Sequence, residues 1–276
     1  MEQADLNTWE EFEAEISKLY HKRAQRAAAT TLHVSQYVFR GLSDSAWALT
    51  TTLERYTQSL LTLREYYRLV HASKPQVETF TGADWRIPSI EDYVKWMEST
   101  GGLLLAENVP AYEYFVYLRH HGFPSPLLDW TQSPYVAAHF AFCDPESQAE
   151  RVAIYAYCEY TAGGKSGSSK KPQIVGLGHH VRSHRRHFQQ QSEYTFCVVL
   201  RGDGLAYASH EDAFAGVVED QDELWKFTIP SSERPKVLKQ LERHNINAFS
   251  LFGSEESLME TVALRLFYLR NFDKLP

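Results

Sequence analysis

The chain has 276 residues, of which 43% are hydrophobic and 23% are charged, and its formal net charge is -7 at pH 7. This length and composition allow a large buried core and favour one domain with an added helical portion over two independent domains. The negative charge disfavours nonspecific adhesion to nucleic acid. The cysteines have no paired spacing, so neither a disulfide framework nor a Cys-x-x-Cys zinc site is indicated.

No apolar run is long enough to span a bilayer, and the chain has no signal-type start. We therefore expect a cytoplasmic protein with no membrane partner. His180, His184 and His187 could share one side of a helix, but no carboxylate or cysteine pattern completes a ligand set. We therefore expect no metal cofactor.

A first helix is predicted over residues 8–29. Thr8 and Glu11 stand at capping-box spacing. The apolar residues that share one side of this helix are Trp9, Phe12, Ile16 and Leu19. We assign residues 1–36 to an N-terminal helical segment.

A strand and a helical insert are predicted next. Residues 37–41 have the aromatic and β-branched side chains typical of a strand. Residues 53–121 form the predicted insert. Its pieces are a helix over 53–72, a connector over 75–88, a helix from Ser89 and a helix from Pro110 to His121.

A short, rigid crossing is predicted at residues 122–133. Gly122 suits a left-handed helix stop, and Ser133 followed by Pro134 suits the cap and first position of a new helix. Between these signals the crossing carries a carboxylate, an indole and a hydroxyl, from Asp129, Trp130 and Thr131.

The pattern changes from helical to alternating after residue 151, which indicates strands. The predicted strands are 152–157, 194–200, 225–229 and 246–252, and the predicted helices are one capped by Ser232 and one capped by Ser254. We therefore expect an α+β fold: a mixed β-sheet core with packed helices and the N-terminal helical segment.

Two distant motifs resemble the FRG domain family, which is named for a Phe-Arg-Gly motif. The first is Phe39-Arg40-Gly41, and the second is a His-x-Gly…Leu-Leu-Asp-Trp-Thr block that runs from His120 to Thr131. Two motifs this far apart in the right order are a specific signal. We assign residues 37–276 to this domain, with the helical insert and a basic loop at about 162–188.

A weaker resemblance links three segments to ADP-ribosyltransferases, in which an arginine, a Ser-Thr-Ser and a Gln-x-Glu motif line one NAD-binding cleft. The matching segments are Arg40, Thr131-x-Ser133 and Gln191-Ser192-Glu193. The resemblance implies an ADP-ribosyltransferase-like sheet and an enzyme that uses NAD as co-substrate. It also implies a toxin or phage-defence effector that a partner, such as an antitoxin or a chaperone, would restrain.

Each motif has a chemical reason to belong to such a site. Cleavage of the nicotinamide bond develops an oxocarbenium-like ribose, which the carboxylate of Glu193 would stabilise, while Gln191 would meet the acceptor. Arg40 would clamp a phosphate or ribose oxygen with its planar guanidinium. The other residues expected to bind the cofactor are Gly41, His121, Thr131 and Ser133, and either His120 or His121 is expected on the adenosine side.

A basic segment immediately precedes the third motif and is expected to be a mobile loop that meets the acceptor. Its positive charge would suit RNA, DNA or an acidic protein surface. The residues assigned to this contact are Lys170, Lys171, Arg182, Arg185 and Arg186.

The residue types leave simpler explanations open. Arg40 could be the buried partner of Asp129 in a structural ion pair, and Glu193 could be a solvent-facing strand residue. The chain could also be a non-catalytic FRG module that binds a nucleotide, nucleic acid or protein through Arg40 and His121. Release of nicotinamide would distinguish the enzyme hypothesis from the binding-module hypothesis.

Overall fold

The computed structural model describes residues 1–57, 59–99, 109–161, 171–178, 181, 185–202, 204–215 and 221–270. These residues form an α+β fold around one mixed eight-stranded sheet, as predicted. The strands are β1 Glu2–Asp5, β2 Val38–Leu42, β3 Leu128–Thr131, β4 Arg151–Tyr160, β5 Gln173–Gly178, β6 Ser192–Arg201, β7 Gly204–Tyr207 and β8 Gln221–Pro230. Their order is β1-β8-β4-β2-β3-β6-β5, and β7 pairs with β6.

Helices pack on this sheet, and their apolar side chains share its core clusters. They are α1 Trp9–Ala29, α2 Thr52–Tyr56, α3 Leu63–Thr81, α4 Ile90–Ser99, α5 Tyr112–His120, α6 Pro134–Phe142, α7 Arg185–Gln189, α8 His210–Ala215, α9 Arg234–Arg243, α10 Ala248–Phe252 and α11 Glu255–Ala263. A π-helical turn, Leu264–Leu269, continues α11. Within the described residues, none of these helices combines the length and the apolar character that a membrane span requires.

The N-terminal segment is part of the sheet as well as helical. β1 pairs in parallel with β8, whereas every other strand pair is antiparallel. Thr8 caps α1, as predicted, because its hydroxyl accepts from the Glu11 amide. The buried face of α1 is the predicted one, with Trp9, Phe12, Ile16 and Leu19 in the core.

Other local predictions were wrong for identifiable reasons. Helix α3 runs through Pro75 and ends at Gly82, whose φ of 70° is left-handed, so the predicted connector begins too early. Residues 248–252 form a helix instead of a strand, because Asn247 and Ser250 cap each other. The crossing contains the strand β3, and β5 occupies part of the predicted basic loop.

Strands β2 and β3 separate almost as soon as they meet. Both strands are fully described, and they share a single residue pair, Phe39 with Thr131. In contrast, five residues of β2 pair with β4, and four residues of β3 pair with β6. The sheet is therefore split on one side of the Phe39–Thr131 pair.

Helix α6 lies directly on β2 next to this split. The approach is so close that a Cβ atom on Gly41 would lie 1.9 Å from the carbonyl oxygen of Ala137 and 2.7 Å from the amide of Ala141. Both Ala137 and Ala141 are fully buried. Glycine at position 41 is thus a packing requirement of the helix–strand contact.

Substitution of Gly41 tests this contact. We expect Gly41→Ala to lower the free energy of unfolding by about 2 kcal/mol or more, because the added methyl group must displace the backbone of α6. Gly204→Ala is the matched control, since a Cβ there meets nothing within 4 Å. Urea unfolding measures both; equal stability of the two variants would contradict the close approach.

Candidate functional site

The split between β2 and β3 opens into a cleft of about 410 Å³. Residues from three neighbouring strands line it: Arg40 and Gly41 from β2, Asp129, Trp130 and Thr131 from β3, and Ser192 and Tyr194 from β6. Helices contribute Arg119, His120, Phe140, Arg186 and Phe252. The cleft therefore joins both FRG motifs with the start of β6.

Arg40 bridges the split. Its Nη1 donates to the backbone oxygen of Asp129 at 2.7 Å and lies 3.8 Å from the Asp129 carboxylate. Its buried Nε has no hydrogen-bond acceptor among the described residues. Burial lowers the pKa of Arg40 to about 10, although the Asp129 charge opposes this change. Arg40 therefore keeps its positive charge at neutral pH.

Arg119 is the main ionic partner of Asp129. Its Nε and Nη2 donate to the two carboxylate oxygens at 3.1 and 2.5 Å, which is a bidentate pair. Burial would raise the pKa of Asp129, but the charge and hydrogen bonds of Arg119, followed by the charge of Arg40, lower it. Two guanidinium groups thus share one carboxylate, and this cluster carries a net positive charge.

The two hydroxyls of the second motif make local hydrogen bonds. Thr131 lines the cleft, and its Oγ1 donates to the Gln190 carbonyl at 2.7 Å. Ser133 does not line the cleft. Its side chain caps α6 by accepting from the Val136 amide, as the sequence predicted for this helix start.

The third motif has a different geometry from the expected one. Gln191 precedes β6 in a left-handed turn with a φ of 48°, so it does not share a strand face with Glu193. Glu193 lies on β6 but does not line the cleft, and its Oε1 accepts from Gln132 Nε2 at 2.6 Å. Gln190 and Ser192 line the cleft in their place.

The remaining sequence-predicted residues differ in their relation to the cleft. His120 lines the cleft, whereas His121 is exposed and packs on the ring of Tyr117 at 4.3 Å. Arg186 lines it as well, with its guanidinium carbon 5.4 Å from the Phe252 ring centroid. Lys171 and Arg185 are exposed, and Lys170 and Arg182 lie outside the described residues.

Sequence reasoning missed Arg119 and Tyr194. Arg119 is on the last turn of α5, and only the folding of the insert onto β3 brings it to Asp129. The signal for a partner is the polar Asp129 within an otherwise apolar strand, which the sequence pairs with Arg40 alone. For Tyr194, the sequence pattern indicates only an ordinary strand residue.

The two motifs lie in a region that matches a known family. Residues 35–150 match the FRG domain model. No curated protein and no solved structure matches the chain. The matched region includes β2, β3, Arg119 and Asp129, whereas β6 and α7 lie beyond it.

Removal of Arg119 should weaken the fold most at neutral pH. The lowered pKa of Asp129 means that its contribution is present above the ordinary carboxyl pKa of about 4 and is lost as pH falls through the lowered value. We expect Arg119→Met to cost about 1–3 kcal/mol at pH 7, because 38% of the Asp129 side chain remains exposed.

Urea unfolding between pH 7 and about pH 3 measures this effect. The deficit of Arg119→Met should shrink as the pH falls. Arg86→Met is the control, since Arg86 and Asp84 form a pair that is 93% and 76% exposed and is expected to contribute little. A deficit that stays constant with pH would contradict the ionic role of Arg119.

Proposed function

We propose that this FRG domain is an NAD-dependent ADP-ribosyltransferase whose co-substrate lies in the cleft between β2 and β3. The observation that carries the proposal is that three distant segments of the chain converge on one cleft. Arg40, Thr131 and Ser192 come from three distant segments, and all three line one cleft. These segments are the ones that resemble the three ADP-ribosyltransferase motifs.

The charge of the cleft supports a phosphate-bearing ligand. Arg40 and Arg119 both approach the carboxylate of Asp129, and Arg186 adds a third guanidinium to the lining. The planar fork of arginine binds phosphate oxygens through two parallel hydrogen bonds. The rings of Phe140 and Phe252 provide the apolar wall that an aromatic base or nicotinamide needs.

The resemblance to the Gln-x-Glu motif assigns Glu193 as the carboxylate that would stabilise the oxocarbenium-like ribose. Glu193 pairs with Trp130, which lines the cleft, and residues opposite each other in antiparallel strands project from the same face. Ser192 and Tyr194, which also line the cleft, project from the other face of β6. For this role, Glu193 must break its hydrogen bond with Gln132 and bind the ribose instead.

The proposed biological role is that of a toxin or phage-defence effector that transfers ADP-ribose to RNA, DNA or protein. Exposed Arg185 is next to Arg186, which lines the cleft, and its charge suits an acidic acceptor. Lys171 is exposed too, but it precedes β5, whose Gln173 pairs with Val198 and not with the start of β6 at the cleft. Such an activity would require restraint by an antitoxin or a chaperone.

A second candidate is a non-catalytic module that binds a nucleotide, nucleic acid or protein partner. The observation that favours it is the position of Glu193, which bonds Gln132 and does not line the cleft. In this case the arginine cluster binds the ligand, and no glycosidic bond breaks.

Nicotinamide release from NAD, with RNA, DNA and protein offered separately, tests the proposal. We expect Glu193→Gln to reduce release by about 100-fold with NAD binding retained, because a charge that stabilises the transition state is removed. Arg40→Lys should weaken NAD binding about 10-fold or more, because its bidentate geometry is lost. Exposed Glu255 supplies the control variant Glu255→Gln.

Three results would count against the enzyme. NAD binding without nicotinamide release would support the binding module. Full release by Glu193→Gln would remove Glu193 from the mechanism. Absence of NAD binding by calorimetry would contradict both forms of the proposal for this dinucleotide.

A further inference from the structure

Two imidazoles converge on one phenol at the wall of the cleft. The hydroxyl of Tyr194 lies 2.8 Å from His120 Nε2 and 3.4 Å from His187 Nδ1. The rings of His187 and Tyr194 are nearly parallel, with a centroid distance of 5.8 Å. His120 and Tyr194 line the cleft, whereas His187 is only 2% exposed. A cleft residue is thus connected to a buried imidazole.

The hydrogen bonds of this group are directional. Burial raises the pKa of Tyr194 above its ordinary value, so the phenol keeps its proton at neutral pH. A phenol has one hydrogen to donate, so when it donates to one imidazole its oxygen can accept from the other. The protonation of one ring therefore constrains the tautomer of the other.

Charged groups of both signs surround the cleft end of this chain. Asp129 and His120 interact electrostatically. Arg40, Arg119 and Arg186 line the same cleft with positive charge. Among the described residues, Tyr112 also packs on Tyr194, with the two rings edge-on at a centroid distance of 6.2 Å.

We propose that His120, Tyr194 and His187 form a proton relay that removes the proton of the acceptor during ADP-ribose transfer. This inference rests on the proposed function and specifies its acceptor. A carboxylate acceptor is already ionised at neutral pH and needs no base, whereas a hydroxyl keeps its proton. The relay therefore indicates a hydroxyl as the group that receives ADP-ribose.

The step balances without a further reactant. The acceptor oxygen bonds to C1′ of the ribose, and the bond from C1′ to nicotinamide breaks, so nicotinamide leaves as a neutral molecule with the bonding electrons. The acceptor proton passes to His120 Nδ1, the Nε2 proton of His120 passes to the Tyr194 oxygen, and the Tyr194 proton passes to His187 Nδ1. The proton returns to solvent after the product leaves.

Nitrogen-15 spectra of the histidine side chains in the full chain test the relay without NAD. The signals of His120 and His187 among the 12 histidines are assigned with His120→Gln and His187→Gln. We expect Tyr194→Phe to change the tautomer or the pKa of both imidazoles. Tyr112→Phe is the matched control: its hydroxyl donates to the Gly178 carbonyl and bonds neither imidazole. Unchanged spectra in Tyr194→Phe would overturn the relay.

Turnover tests the role of the relay in transfer. We expect His120→Gln and Tyr194→Phe to reduce kcat with a hydroxyl acceptor by about 100-fold, with the KM for NAD little changed. In His120→Gln the fall in rate at low pH should disappear, because that fall reports protonation of the base. If the rate of His120→Gln still fell at low pH, this result would contradict the role of His120 as the base.

The nitrogen-15 spectra and the turnover measurements together separate this inference from the proposed function. Nicotinamide release by the wild-type chain together with uncoupled imidazoles would overturn the relay and leave the transferase intact. Coupled imidazoles without any nicotinamide release would overturn the transferase, and with it the transfer step assigned to the relay. Transfer to a carboxylate at the wild-type rate in His120→Gln would overturn the hydroxyl acceptor.

Discussion

The contact between α6 and β2 is the constraint on which the cleft depends. Gly41 allows the backbone of α6 to lie against β2 at Ala137, and β2 pairs with β3 only at Phe39. Beyond that pair, the two strands no longer satisfy each other's backbone groups. Arg40 compensates on one side by donating to the Asp129 carbonyl. The Phe-Arg-Gly motif thus contains both the residue that permits the close packing and the residue that spans the resulting split.

The charge arrangement follows from this split. Asp129 receives a bidentate pair from Arg119, which the helical insert brings to β3, and a more distant charge from Arg40. The insert is therefore part of the site and not only an addition to the fold. An anionic ligand in the cleft would compete with Asp129 for the two guanidinium groups, and this competition would couple ligand binding to the packing of α5 on the sheet.

Local signals in the sequence predicted several helix starts, because caps such as Thr8, Ser133 and Ser254 depend on neighbouring residues alone. The predicted cap Ser232 was wrong, since α9 begins after Glu233 without a side-chain cap. The motifs also identified Arg40 and Thr131, which line the cleft. The partners Arg119 and Tyr194 could not be found in this way, since tertiary packing decides which helix meets β3. The positions of Gln191 and Glu193 depend on the left-handed turn that precedes β6, and its φ is not encoded by a glycine.

The parallel pairing of β1 with β8 limits how far this chain can be truncated. Residues 2–5 complete the sheet beside residues 225–228, and α1 fills the core next to them. A fragment cut to residues 35–150, the region that matches the family model, would lose both and would also lack β4, which pairs along the whole of β2. Its unprotected strand edges would invite aggregation, so the recognisable part of this protein is smaller than the part that can fold.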